Sequence, residues 1–254
     1  MDQTYTIYSN FINSINDITH SSFKSNPNYT YMLEHVNYNQ GREYLKLTKK
    51  NFPNISEDYI KRLVSINDEI GNTQKHNIDQ IICSPTSLRY IYHSLLILEH
   101  LKDLYNTNDT PVSVVELGGG YGGLCLIFNH LYLDYYSKYF KLHNYSIIDL
   151  PNPCILQRKY LEYHKIVCKC YDAFNYNEFL QENKNNETFL ISNYCFSELG
   201  NENQKSYVKN LFPIIQHGFI AWNNIDVYNF GKKIIKQVRE EPLTGNDKNY
   251  YIYF

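Results

Sequence analysis

Apolar residues are spaced in two different ways along this chain, and the change falls near residue 106. Before it the spacing is helical. Ile55, Tyr59, Ile60, Leu63 and Ile66 recur at helical spacing, which puts most of them on one face of a helix across 55–70. Ser56 stands just ahead of Glu57 and Asp58, where a hydroxyl caps the first turn. A second helix opens at Ser84-Pro85 and runs through Leu88, Ile91, Tyr92, Leu95, Leu96, Leu98 and Leu101 towards Tyr105. Serine as the cap with proline in the first turn is the favoured start, and the broad apolar face implies packing against the region that follows.

Beyond the polar joint 106–111, short apolar runs alternate with helical stretches. Strands are expected at 112–116, 145–149, 166–170, 188–192 and 218–223, with a last one at 250–254. Helices are expected at 124–136, at 152–163 after the Pro151 break, and at 204–215, where Pro213 kinks or shortens the end. The segment 234–240 fits either a helix or the partner strand of a closing hairpin. Strands unbroken by polar residues, with helices between them, belong to a parallel sheet covered on both faces. The expected fold is therefore α/β, a doubly wound and mostly parallel sheet in 107–254, preceded by an N-terminal helical region in 1–106.

Composition narrows the classes of function. The 254 residues are 43% hydrophobic and 20% charged, enough for a large core. A formal net charge of −2 and the absence of a long basic run argue against nucleic acid as partner. Lys49-Lys50 and Lys232-Lys233 read as solvated helix surface. The start lacks a basic stretch followed by an apolar one, and no segment approaches the roughly 18 unbroken apolar residues of a membrane span. A soluble, cytoplasmic protein with no membrane partner is expected. Cys125, Cys154, Cys168, Cys170 and Cys195 lie within or beside apolar segments, as buried free thiols do. Cys168-Lys169-Cys170 has no distant Cys or His group to complete a zinc set, and no carboxylate cluster for Mg²⁺ is evident, so no metal is expected. The 26 tyrosines accompany abundant Asn, Ile and Lys, all residues with AT-rich codons, and so give little support to a carbohydrate platform.

The candidate chemistry sits in Glu116-Leu117-Gly118-Gly119-Gly120-Tyr121-Gly122-Gly123, between a strand and a helix. Glycines there let the backbone turn tightly and approach a ligand. Gly118, Gly120 and Gly123 fit a dinucleotide spacing, while Glu116 with Gly118, Gly120 and Gly122 fits an acid followed by alternate glycines. Glu116 favours the second, because a carboxylate repels a pyrophosphate but attracts the ammonium and sulfonium of S-adenosylmethionine. Asp149, at the end of the next strand, is placed to accept hydrogen bonds from ribose hydroxyls, a role common to NAD and S-adenosylmethionine. Asp172 reads as an adenine contact or equally as a solvent-facing loop acid, and Asn193-Tyr194 as cover for the methionine end. No Tyr-x-x-x-Lys pair supports hydride transfer, so methyl transfer is preferred.

These loops resemble the sugar O-methyltransferase family within the class I S-adenosylmethionine-dependent enzymes. The likeness rests on 115–123, on Ile147-Ile148-Asp149-Leu150-Pro151, and on Ile191-Ser192-Asn193-Tyr194-Cys195-Phe196-Ser197-Glu198-Leu199. It extends to Leu33-Glu34-His35-Val36, Gln40-Gly41-Arg42-Glu43-Tyr44-Leu45 and Ser84-Pro85-Thr86-Ser87-Leu88-Arg89-Tyr90. The resemblance implies that Glu116, Gly118, Gly120 and Gly122 surround the methionine part and that Asp149 binds the ribose, with a sugar or sugar-nucleotide as substrate.

A sugar hydroxyl needs help losing its proton. Glu198, after the fourth strand, is the first candidate base, with capping or pairing at the next helix as its structural alternative. His35 is the second, or a histidine bonded to backbone. Arg89 suits sugar hydroxyls or an acidic sugar, or pairs with an acid as its helix packs, and Asn223 is placed to orient the acceptor. His217 reads as a helix-terminal histidine. Three alternatives stay open: N-methylation of an amino sugar or small amine, an NAD-dependent sugar-modifying enzyme, and a non-catalytic binding module. Exposed parts of the N-terminal helices leave room for a homo-oligomer.

Overall fold

The computed structural model describes residues 3–30, 33, 35–106 and 109–254, without the side chains of residues 3–5. Glu34, in the stretch before His35, and Thr107 and Asn108, in the polar joint, lie outside the described residues. The chain begins with helices α1 (Gln3–Asn13), α2 (Pro27–Thr30), α3 (Tyr38–Asn51) and α4 (Glu57–Asn67). A hairpin of β1 (His76–Ile78) and β2 (Ile81–Cys83) leads into the long helix α5 (Pro85–Tyr105). Then come β3 (Val112–Leu117), α6 (Gly123–Leu131), β4 (Leu142–Asp149), α7 (Pro151–Tyr163), β5 (Lys169–Asp172) and α8 (Asn177–Asn183). The chain closes with β6 (Glu187–Asn193), α9 (Cys195–Glu198), α10 (Asn201–Asn210), β7 (His217–Trp222), β8 (Lys236–Arg239) and β9 (Tyr250–Tyr253).

Two compact units share the chain. The first takes residues 1–98, 119–135 and 150–167, so α6 and α7 group with the N-terminal helices. The capping signals act as the sequence suggests. The Ser56 hydroxyl accepts the Tyr59 amide at 3.2 Å, and the Ser84 hydroxyl accepts that of Thr86 at 3.2 Å. Asn37 and Gln40 complete a reciprocal capping box on α3. The β1–β2 hairpin is not evident from sequence: its turn residues Asp79 and Gln80 both take positive φ, 48° and 72°, without a glycine to announce it.

The second unit, residues 99–118, 136–149 and 168–254, holds a seven-stranded sheet ordered β5-β4-β3-β6-β7-β9-β8. The five strands β5, β4, β3, β6 and β7 are parallel, and β9 runs antiparallel to both β7 and β8. The chain works outward from β3 to β5, then returns to the other side of β3 for β6 and β7, so the sheet is doubly wound and mostly parallel as expected. Every residue of β3 is buried, as the central strand requires. The ambiguous segment 234–240 supplies β8, an exposed edge strand whose Lys236 and Arg239 discourage further pairing.

The third parallel strand differs from expectation. It lies at Lys169–Asp172 and not at 166–170, because Asp149 pairs with Asp172 across β4 and β5. Lys165 takes φ 58°, and Val167 is left 92% exposed. All six cysteines are free thiols; Cys168 and Cys195 are only part-buried, unlike the other four. No helix among the described residues is long and apolar enough to cross a membrane.

Candidate active site

In a doubly wound sheet the loops leaving two adjacent strands in opposite directions open a crevice at the carboxyl ends. Here those strands are β3 and β6, the neighbours at which the winding reverses. Glu116, the penultimate residue of β3, is 2% exposed and accepts a hydrogen bond from the Tyr145 hydroxyl at 2.9 Å. Burial pushes its carboxyl up to about 8, the Tyr145 hydrogen bond opposes this, and the Asp149 carboxylate adds to it. Among the described residues no cationic side chain pairs with Glu116.

The loop after Glu116 turns at Gly118, with φ 74°, and Gly118 donates its amide to the Ile148 carbonyl at 3.0 Å. A Cβ on Gly118 would come within 2.5 Å of the Cβ and Sγ of Cys195, so glycine is required twice over: for the backbone angle and for the approach of the β6 loop. That loop is held in turn by its own left-handed residue. Tyr194 has φ 67° and donates its amide to the Ala221 carbonyl at 2.8 Å, while its hydroxyl donates to Glu240. Asn193 ends β6 with a buried Oδ1 that has no hydrogen-bond partner.

Asp149 and Asp172 are cross-strand partners at the carboxyl ends of β4 and β5. The Asp172 carboxylate accepts the Phe174 amide at 2.8 Å, which shapes its loop and leaves Phe174 68% exposed beside it. Burial raises the Cys195 thiol well above its ordinary range, reinforced by the carboxylates of Asp149, Glu198 and Glu116. Acids from three different segments, β3, β4 and α9, therefore act on the first residue of α9.

Glu198, the last residue of α9, is exposed, and its Oε1 accepts a hydrogen bond from Asn223 Nδ2 at 2.6 Å. Asn223 follows β7 and is fixed by Ser197: the Ser197 hydroxyl donates to Asn223 Oδ1 at 2.5 Å and accepts the Asn223 amide at 3.1 Å. The structure thus joins two residues singled out separately in the sequence. Tyr145, Cys195 and Ser197 were missed as supports. Tyr145 was the most accessible of them: Glu116 pairs with Ile147, and Tyr145, two residues earlier, shares that face.

The other candidates belong to the first unit. Gly120 (φ 57°) gives its carbonyl to Gln157 Nε2 at 3.0 Å, and Gly122 (φ 97°) precedes α6. The left-handed positions are thus the alternate ones, 118, 120 and 122, while a Cβ on Gly123 would strike the rings of Tyr90 and Tyr121. Arg89 is buried on α5, 5.7 Å from the Tyr90 ring centroid, and His35 is exposed ahead of α3. Among the described residues no group of three or more His, Cys, Asp or Glu side chains is placed to hold a metal.

Numbered within the sheet, the strands read 3-2-1-4-5-7-6, with the seventh reversed between the fifth and sixth. This is the class I methyltransferase fold, distinguished by that reversed strand from the 3-2-1-4-5-6 order of the dinucleotide-binding fold. No protein-family profile matches the chain, and no curated protein does. Among solved structures it is similar to a plantazolicin methyltransferase in complex with S-adenosylhomocysteine, at 15% identity and a TM-score of 0.38, over 73% of this chain and 59% of that one. It is also similar to the rRNA methyltransferase aviRa from Streptomyces viridochromogenes, at 10% identity and a TM-score of 0.44, over 64% of this chain and 83% of that one. A protein of Listeria monocytogenes assigned to the class I S-adenosylmethionine-dependent methyltransferases shows 11% identity and a TM-score of 0.46, over 98% of this chain and 85% of its own. At these scores the likeness says nothing of substrate, and the fold class rests on the strand order itself.

Proposed function

We propose that the protein transfers a methyl group from S-adenosylmethionine to a hydroxyl of a sugar, whether free, nucleotide-linked or glycan-borne. The observation that carries the cofactor is Glu116: a buried carboxyl whose partner is a tyrosine hydroxyl, among acidic neighbours that make a cationic ligand welcome. The surrounding groups fit the rest of the molecule. Asp149 takes the ribose hydroxyls, Asp172 with exposed Phe174 takes the adenine, and Asn193 Oδ1, which has no hydrogen-bond partner, accepts from the methionine end with Tyr194 as cover. Gly118, with φ 74°, presents bare main chain.

When bound, the cofactor supplies an electrophilic methyl on its sulfonium. The chain must orient an oxygen in line with the departing sulfur and keep water out. Glu198 accepts the hydroxyl proton as that oxygen attacks, held in place by the Asn223 amide. His35 and Arg89, in the first unit, carry no step of this scheme. The six free thiols suit a reducing compartment, the cytoplasm, and the formal net charge of −2 disfavours nucleic acid as acceptor.

Calorimetry with S-adenosylhomocysteine and with NAD tests the cofactor: selective binding of the former is expected, and selective binding of NAD overturns the proposal. Labelled methyl transfer to a sugar panel tests the base. Glu198→Gln is expected to lower turnover roughly 100-fold or more with S-adenosylhomocysteine affinity retained. Unchanged turnover would remove Glu198 from the chemistry and favour an amine acceptor.

A further inference from the structure

We propose that a cleft beside Glu198 is the acceptor subsite, and that it admits an uncharged, hydroxyl-bearing ring while discriminating against a phosphorylated one. This rests on the methyl-transfer proposal and narrows its acceptor. The cleft measures about 560 Å³ and lies wholly within the second unit, bounded by Glu198, Leu199, Asn201, Gln204, Ile225 and Tyr228 among others. That volume accommodates a sugar ring with part of its aglycone.

The walls are organised for a polar, neutral guest. Tyr228 donates its hydroxyl to Gln204 Oε1 at 2.8 Å, and its ring meets Trp222 edge-on with centroids 5.3 Å apart, which fixes it as an aromatic wall. Gln204 is itself anchored through Nε2 to the Phe196 carbonyl at 3.0 Å. Leu199 and Ile225 add apolar surface for the C–H faces of a ring, and Asn201 and Asn224 add amides for its hydroxyls. On the same wall the Ser197–Asn223 pair holds the Glu198 carboxylate. Among the described residues no Lys, Arg or His lines the cleft, and the charged side chain there is an acid, Glu198. A phosphate seated there would meet the Glu198 carboxylate, and none of the lining side chains is a cation.

Saturation-transfer NMR on the full chain, with S-adenosylhomocysteine present, tests this with methyl hexopyranosides against the matching hexose 6-phosphates and UDP-hexoses. At least one methyl glycoside is expected to bind, with the phosphorylated counterparts at least ten-fold weaker. Leu199→Trp, which fills the cleft, and Tyr228→Ala, which removes its wall, are each expected to weaken glycoside binding at least ten-fold while leaving S-adenosylhomocysteine affinity unchanged by calorimetry. Equal or tighter binding of the phosphates, absence of glycoside binding, or full glycoside affinity in both variants overturns the inference alone. Failure of the unaltered protein to bind S-adenosylhomocysteine sinks the methyl-transfer proposal and the subsite with it.

Discussion

The first unit and the second each bury an acid, and they finish it differently. Asp68, 3% exposed in the first unit, accepts the Ser84 amide at 2.6 Å and the Ser87 hydroxyl at 2.5 Å. Burial pushes its carboxyl up, and the charge of Lys24 pulls it back, helped by those hydrogen bonds. Lys24 is itself 1% exposed, with its ammonium on the Asn67 carbonyl and 4.1 Å from the Tyr121 ring centroid. Glu116, in the second unit, has a tyrosine hydroxyl as its hydrogen-bond partner, and the charged group acting on it, Asp149, is another acid, where the one acting on Asp68 is a cation. A buried carboxyl near the protein's own cation serves the structure; one with a hydroxyl and no cation is, under the proposed function, the seat of a cation from outside.

Removing the internal cation should break the first half of this contrast most severely. Lys24→Met is expected to cost about 1.5–3 kcal/mol, because it removes the ammonium from the Asn67 carbonyl and the charge that opposes the rise at Asp68. Urea unfolding should show Asp68→Asn restoring much of the loss in the Lys24→Met background. If the double variant is no more stable than the single one, the pair is not coupled.

The second half appears in the pH dependence of ligand binding. Under the proposed function Glu116 must lose its proton to receive an ammonium, so S-adenosylhomocysteine affinity should climb up to ten-fold per pH unit towards about 8, then fall once the ligand's own ammonium deprotonates. Glu116→Gln should flatten the climb and weaken binding about 30-fold or more. Without ligand, the raised carboxyl contributes stability that is present below its ordinary range near 4.5 and lost as pH rises through about 8. Thermal melts of the ligand-free protein should therefore decline across that window more steeply than those of Glu116→Gln, and parallel curves would show that Glu116 is not buried as a neutral acid.

A smaller effect sharpens the comparison further. Tyr145→Phe removes the hydrogen bond that opposes the rise, so the acid should titrate still higher and ligand affinity at pH 7 should fall a few-fold. A stability change of about 1 kcal/mol is expected alongside. Affinity unaltered at pH 7 but stability lowered would reduce Tyr145 to a packing residue.

Much of this arrangement was visible before any coordinates. The Ser56 and Ser84 caps act locally, between residues two or three apart, and local geometry is what a sequence specifies most directly. The third parallel strand was misplaced by three residues at its start, because its bounds follow from pairing with β4 and its own apolar pattern does not contain that pairing. The hairpin turn at Asp79-Gln80 was invisible for a related reason: neither residue is a glycine, and the paired strands on either side hold both at positive φ.

The sequence by itself determined the alternation of strands and helices, the position of the glycine turn and the acid ahead of it, since each depends on residue type and short-range spacing. Tertiary structure alone decided that Cys195 lies against Gly118, that Tyr145 meets Glu116, and that Asn223 holds Glu198. Those partners are 25 to 77 residues apart, and their meeting is fixed by strand order and register, which arise from burial summed over the whole sheet.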